Sequence, residues 1–171
     1  MTAIVDGSLG FTAPVGAVYN GLQTGTAQAS TSGTSIDFTG IPSWVKRITV
    51  MFNGVSLSAT ANIYVQIGSG SVTTSGYTGG SSRGTNVVDS TSAFIFVQNN
   101  AASNIYSGVM TIVAMGSNVY AEQSISISSA SDAATVSAGN VTLGGVLDRV
   151  RITTSSGTDT FDAGSINIIY E

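Results

Sequence analysis

The sequence of 171 residues contains no cysteine and no histidine. Without cysteine the chain has no disulfide and no thiolate nucleophile, and without histidine it lacks the commonest metal ligand and proton shuttle. Proline occurs only twice, and charged residues make up 8% of the chain, against about 25% in an average soluble domain. Enzyme classes that depend on thiolate or imidazole chemistry are therefore excluded.

Positive charge is also scarce, because Lys and Arg together number five and the net charge is −4. Non-specific nucleic-acid binding needs many cations to displace counterions, so no nucleic-acid partner is expected. No apolar run reaches the roughly 18 residues of a membrane-spanning helix, so no membrane insertion is expected. The first residues, MTAIVDGSLG, do not resemble a signal peptide. We expect a protein that is not exported by the ordinary route.

Hydroxyl residues and glycine replace the missing charges, with 26 Ser, 21 Thr and 21 Gly beside 42% hydrophobic residues. The hydrophobic residues follow a period of two. In KRITVMFN, Ile48, Val50 and Phe52 alternate with their neighbours, and similar alternation occurs in 62–67, 124–128 and 149–153. This period predicts half-buried β-strands.

About nine strands are predicted, and no segment has the pattern of an amphipathic helix. The predicted strands lie near 35–39, 46–55, 62–67, 93–98, 105–115, 119–128, 134–143, 147–154 and 165–170. Short strands without intervening helices predict an all-β fold, an antiparallel β-sandwich. Eight or nine strands favour a jelly-roll-like arrangement, and an immunoglobulin-like sandwich is the alternative.

Two predicted strands are apolar on both faces: AFIFV at 93–97 and VMTIVAM at 109–115. A strand of a two-layer fold has one wet face unless something covers it. The cover is either a loop or arm of the same chain, or a second subunit. In the second case the interface residues are Phe94, Phe96, Val109, Met110, Ile112 and Met115.

Two segments lie outside the strand pattern. Residues 1–34 combine small polar residues with isolated apolar ones and are interpreted as an N-terminal attachment arm preceding a β-domain at 35–171. Residues 68–92 are rich in Gly, Ser and Thr and are predicted to form a long loop, which in a compact domain is either functional or mobile.

Patterns for catalysis are weak. Ser43 and Lys46 match S-x-x-K, but Lys46 is the chain's only lysine, and enzymes with that pattern need a second one. Glu122 is the only internal glutamate, so the carboxylate pair of a glycosidase is not evident. We expect no enzymatic activity, no catalytic residues and no cofactor.

Asp159 and Asp162 lie in the turn sequence GTDTFDAG. They either bond their own backbone in Asx turns or begin a calcium site, and the sequence leaves both open.

Arg149 and Arg151 share one face of a strand, and in a chain so poor in charge they require acidic partners. The candidate partners are Asp37, Asp148, Asp159 and Asp162.

Binding of a host surface glycan needs flat aromatic rings to stack on the sugar and polar groups to fix its hydroxyls. Several such residues fall near predicted loops or strand ends. The candidate ligand-binding residues are Tyr77, Arg83, Asn100, Tyr106 and Tyr120.

Two long segments resemble a known family. SGTSIDFTGIPSWVKRITVMFNGVS at 32–56 and LDRVRITTSSGTDTFDAGSINIIYE at 147–171 resemble the opening and the close of a C-terminal domain found in bacteriophage tail-fibre-like proteins. The resemblance implies a phage structural protein, a β-sandwich assembled as a trimer that often serves in adhesion to bacteria. It implies no catalytic residue.

The hypothesis from the sequence is therefore a homotrimeric virion protein, made in the host cytoplasm and incorporated into the phage particle. Its N-terminal arm docks on other virion proteins, and its distal loops adhere to a host polysaccharide or receptor. The alternative is a capsid decoration or head-fibre protein that stabilises the shell without a receptor role.

Overall fold

The fold is known from a computed structural model, in which every regular element is a β-strand. It describes the backbone of residues 4–6, 10–12, 21–102 and 104–171, and the side chains of 21–98, 101–102, 104–130 and 134–171. No helix occurs in this part of the chain, so none there could span a membrane. The strands described are β1 (Ile4–Asp6), β2 (Gly10–Thr12), β3 (Gln23–Thr24), β4 (Gln28–Ala29), β5 (Ser35–Thr39), β6 (Arg47–Leu57), β7 (Ala61–Ser69), β8 (Ser71–Val72), β9 (Thr78–Arg83), β10 (Asn86–Ser90), β11 (Phe94–Asn100), β12 (Tyr106–Gly116), β13 (Val119–Ser128), β14 (Ser131–Thr142), β15 (Arg149–Thr154) and β16 (Phe161–Tyr170).

The strands form two large antiparallel sheets. The nine-stranded sheet has the order β10-β9-β14-β13-β12-β6-β16-β3, with β4 also paired to β16. The five-stranded sheet has the order β11-β7-β15-β5, with β8 paired to β7. The hairpin β1–β2 is a separate two-stranded sheet. The all-β antiparallel class predicted from the alternation is confirmed.

The hydrophobic core lies between the two large sheets. Ile48, Val50 and Phe52 of β6 are buried, as their alternation requires, because successive side chains of a strand point to opposite faces. Phe52 stacks on Phe96 of β11, with ring centroids 3.6 Å apart. Since β6 and β11 belong to different sheets, this contact holds the two layers together.

The nine predicted strands all occur, with boundaries that differ by a few residues. The N-terminal segment is partly incorporated into the sheet, because Thr24 pairs with Ile169 and Gln28 with Ile166. Residues 23–29 therefore cover the edge of β16, and of residues 1–20, which form most of the predicted arm, only the backbone of the β1–β2 hairpin is described.

The prediction of a long loop at 68–92 is wrong, since this segment contains β8, β9 and β10. β9 pairs with β14 on one side and β10 on the other. A Cβ on Gly79 would lie 2.7 Å from the carbonyl oxygen of Ala138, so the strand approaches its neighbour as only glycine allows. The TGGSSR composition that indicated a loop is what this close pairing requires.

The two strands that are apolar on both faces have different surroundings. In β11, Phe94, Ile95 and Phe96 are all buried, and the strand packs against β9, β13 and β14. The cover of 93–97 therefore comes from strands of the same chain, and neither a loop or arm nor a second subunit is needed. In β12, Met110 and Ile112 face the core, whereas the opposite face of the strand is exposed.

Candidate functional site

The three tyrosines predicted to bind a glycan are buried in the core. Tyr77, Tyr106 and Tyr120 expose 6% or less of their surface, so their rings present no face on which a sugar can stack. The Tyr120 hydroxyl accepts a hydrogen bond from the backbone N–H of Leu147 at 2.9 Å, which ties the loop after β14 to β13. The stacking role is therefore corrected to a structural one.

Tyr77 fixes the segment that precedes β9. Its hydroxyl accepts the N–H of Ile67 at 2.9 Å and donates to the carbonyl of Thr73 at 3.1 Å. Its ring meets Phe94 edge to face, with centroids 4.9 Å apart. Burial raises the pKa of Tyr77 to about 12, so this phenol stays protonated and keeps its donor.

Among the predicted glycan residues with described side chains, Arg83 and Tyr106 lie in contact. The Arg83 guanidinium donates to the Tyr106 hydroxyl at 3.4 Å and lies 6.0 Å from the ring centroid. Asn104 also donates to this hydroxyl, at 3.2 Å. Asn100 pairs with Ala61 through the backbone, but its side chain lies outside the described residues.

The predicted interface residues fall into a buried group and an exposed group. Phe94, Phe96, Met110 and Ile112 lie in the core between the sheets, where no second subunit can reach them. Val109 and Met115 are exposed on the outer face of the nine-stranded sheet. The prediction of an interface therefore depends on that outer face alone.

The arginine partners predicted from the sequence are found. Arg151 forms two parallel hydrogen bonds to the Asp37 carboxylate, at 2.7 and 2.6 Å, which link β15 to β5. Arg149 binds Asp148 at 2.7 Å, and this bond lowers the pKa of the Asp148 carboxyl. The geometry indicates structural pairing and leaves neither arginine aimed at a pocket.

We predict that the Arg151–Asp37 pair contributes little to stability because both side chains are exposed to solvent. Exposed ion pairs typically contribute about 0.2–1 kcal/mol and are screened by salt. A double-mutant cycle of Arg151→Ala and Asp37→Ala, measured by urea unfolding in low and high salt, should give a coupling in that range that shrinks with salt. A coupling above about 2 kcal/mol would instead indicate a pair shielded from water.

The calcium alternative gains no support from the local geometry. The Asp162 carboxylate accepts a hydrogen bond from Ser56, and Asp159 follows a turn in which its N–H bonds the Ser156 hydroxyl at 3.0 Å. Among the described residues no group of three or more acidic side chains could hold a metal ion.

The outer face of the nine-stranded sheet has a row of apolar side chains, of which the sequence pattern indicated Val109 alone. Its members are cross-strand neighbours on successive strands, interrupted only by Ser82 between the last two. We define the apolar row as Met51, Val109, Ile125, Val136 and Val87. Further exposed apolar side chains flank it: Val113, Met115 and Ile127.

In β13 the usual arrangement of polar and apolar faces is inverted. Ser126 is 2% exposed and packs inside, whereas Ile125 and Ile127 are 53% and 48% exposed. Transfer free energies favour the opposite orientation. The alternation of Ile and Ser was visible in the sequence, but only the register of β13 in the sheet shows that the isoleucines face outward.

A buried polar cluster lies on the inner side of the same strands. Ser137 of β14 donates to the Glu122 carboxylate at 3.0 Å, and its own oxygen lies 2.6 Å from that of Ser124. Glu122 is 6% exposed. Burial raises its pKa to about 7, although the bond from Ser137 opposes the shift. This cluster faces the core rather than a cleft, so it offers no access to a substrate.

Comparison of the chain with family models, curated proteins and solved structures finds no match in any of the three. The assignment of a function therefore depends on the residues and the geometry described above.

Proposed function

We propose that the chain is a non-enzymatic structural protein of a bacteriophage virion, a fibre or fibre-tip module that assembles as a homotrimer. In this proposal the two sheets form a jelly-roll-like sandwich, the N-terminal segment docks on other virion proteins, and the distal loops adhere to host surface polysaccharide or another receptor. Multivalent attachment then turns weak individual sites into firm adhesion.

The observation that carries this proposal is the pairing of the two segments that resemble tail-fibre-like proteins. The segment 32–56 contains β5 and nearly all of β6, and 147–171 contains β15 and β16. β5 pairs with β15 in one sheet, and β6 pairs with β16 in the other. Sequence segments separated by about half of the chain thus form one contiguous unit, which supports a resemblance between domains rather than between isolated strings.

The surface composition supports the same class. The exposed apolar side chains on the outer face of β12, β13 and β14, with few charges to oppose association, suit a protein that functions in a symmetric assembly. Exposed apolar patches of this extent mark interaction surfaces.

Electron microscopy of phage particles that encode the chain tests the proposal. Gold-labelled antibodies against the full chain are expected at the fibre tips, and the purified chain is expected to bind cells of the infected bacterium. Addition of soluble host polysaccharide should compete with this binding. Label on the head without cell binding would favour the decoration protein, and unlabelled particles would overturn both assignments.

A further inference from the structure

We propose that the apolar row is the surface through which copies of this chain assemble, with the outer face of the six strands from β6 to β10 that contain or connect it covered by the same face of neighbouring copies. This inference rests on the proposed virion assembly and specifies its contact surface.

The inverted strand is the first reason. β13 exposes Ile125 and Ile127 while it buries Ser124, Ser126 and Ser128. Such a strand leaves apolar area in water on one side and places hydroxyl groups in the interior on the other. The exposed apolar area disfavours an isolated chain, and its cost is removed when a second apolar surface covers it.

The size of the face is the second reason. Neighbouring strands lie about 4.8 Å apart and rise about 3.3 Å per residue, so six strands over seven residues span roughly 550 Å². Two such faces bury roughly 1,100 Å² in total, just above the minimum of about 1,000 Å² for a specific interface. The patch is therefore large enough for copies of the chain to hold one another.

The distribution of charge is the third reason. β12 and β13 contain one charged residue, Glu122, which faces the core, and β14 contains Asp132 near its start, whose side chain lies outside the described residues. Charges occur at the borders of the sheet, where Arg47 pairs with Glu171 and Asp89 is exposed on β10. An uncharged apolar face excludes strongly acidic or basic partners and matches a copy of itself.

The symmetry of the row favours a second copy over another protein. Both of its ends are apolar, Met51 on β6 and Val87 on β10. A rotation about an axis parallel to the strands brings the β6 border of one copy against the β10 border of the next, so apolar side chains meet apolar side chains. About a twofold axis the two faces cover one another, and about a threefold axis the β6 half of each face meets the β10 half of the next; closed symmetry is the rule for such assemblies.

Two matched valines test the surface. Val136 lies in the apolar row and is 47% exposed, whereas Val146 lies in the loop after β14 and is 46% exposed. Sedimentation equilibrium of the full chain should give a mass above the 17.2 kDa of one copy. Val136→Lys should weaken association about 100-fold or more, because a charge would be buried without a partner, and Val146→Lys should leave it unchanged. Circular dichroism and the melting temperature establish that both variants fold.

Cross-linking gives a second measurement, which detects the contact between copies directly and does not require a variant that disrupts association. Because the chain has no cysteine, Val136→Cys and Val146→Cys each carry a single thiol. A short bis-maleimide should link Val136→Cys chains to one another and leave Val146→Cys chains as single copies.

The outcomes separate this inference from the proposed function. A wild-type chain that stays monomeric at micromolar concentration, or an assembly unaffected by Val136→Lys and not cross-linked at position 136, would overturn the inference. Cell binding by such a protein would leave adhesion standing. Conversely, assembly through this face without binding to cells or virions would refute the adhesive role alone.

Discussion

Replacing Phe96 with alanine is expected to destabilise the folded chain by about 3–5 kcal/mol. Phe96 is fully buried and stacks on Phe52 from the other sheet, so the substitution leaves a cavity at the junction of the two layers. For a chain of this length the melting temperature should fall by roughly 10 °C. Thermal and urea unfolding monitored by circular dichroism measure both quantities.

The matched control is Ile105→Ala, which removes an exposed apolar side chain from the loop before β12. It should change stability by no more than about 0.5 kcal/mol. If Phe96 lay in a subunit interface, as the sequence alone suggested, Phe96→Ala would abolish association while lowering the stability of the single chain by less than about 1 kcal/mol.

Glu122→Gln is expected to stabilise the protein at alkaline pH and to have little effect in acid. The carboxyl has a pKa of about 7 in the folded chain, against 4.5 for the free group, so the folded state binds its proton more tightly than the unfolded state. This stabilisation is fully present below pH 4.5 and is lost as the pH rises through about 7. The difference amounts to about 3 kcal/mol.

Unfolding free energies of the wild-type and Glu122→Gln chains should therefore diverge between pH 4.5 and 8. The amide carries a donor that the carboxylate lacks, which adds a constant offset, so the pH-dependent part of the difference is the quantity to compare. Asp89→Asn, which removes an exposed carboxylate, is the control for the loss of a negative charge at the surface. Parallel curves for the wild-type and Glu122→Gln chains would contradict a buried, proton-binding Glu122.

The positions of the strands could be predicted from the sequence because alternation is a local property. Each predicted strand coincides with an observed one, as for Ile48, Val50 and Phe52 in β6, whose spacing alone indicates a strand with one buried face. The salt bridges could also be predicted, since two arginines at adjacent positions of one face require acidic partners. Arg151 and Asp37 meet as expected.

The glycine-rich strands could not be predicted, because glycine carries no side chain whose pattern could reveal a strand. Gly79 and Gly139 are paired across β9 and β14, and a Cβ on Gly139 would lie 3.3 Å from the ring of Phe94. Their small size allows the two strands to approach closely within the sheet, and at Gly139 it also leaves room for Phe94 of the other sheet, so the neighbouring strands define the requirement. The sequence therefore indicated a loop where the structure has a paired hairpin.

The roles of aromatic residues also depended on the partner strands. Tyr77 and Tyr120 occur near chain reversals, where exposed rings are common, but the Tyr77 hydroxyl bonds the backbone of Ile67 in β7 and the Tyr120 hydroxyl bonds that of Leu147 in the loop after β14. A local sequence pattern contains no information about such a partner. The three tyrosines of the predicted glycan site therefore have structural roles. The exposed apolar row is the candidate functional surface instead.

Composition and periodicity by themselves determined that this chain is an antiparallel all-β protein without thiol or imidazole chemistry, because both properties follow from residue identity and from the alternation of a strand. The tertiary structure alone decided which of the two alternating faces is buried. A shift of one residue in register exchanges the faces of a whole strand, and the register of β13 is set by its hydrogen bonds to β12 and β14. That register places serines inside and Ile125 and Ile127 outside.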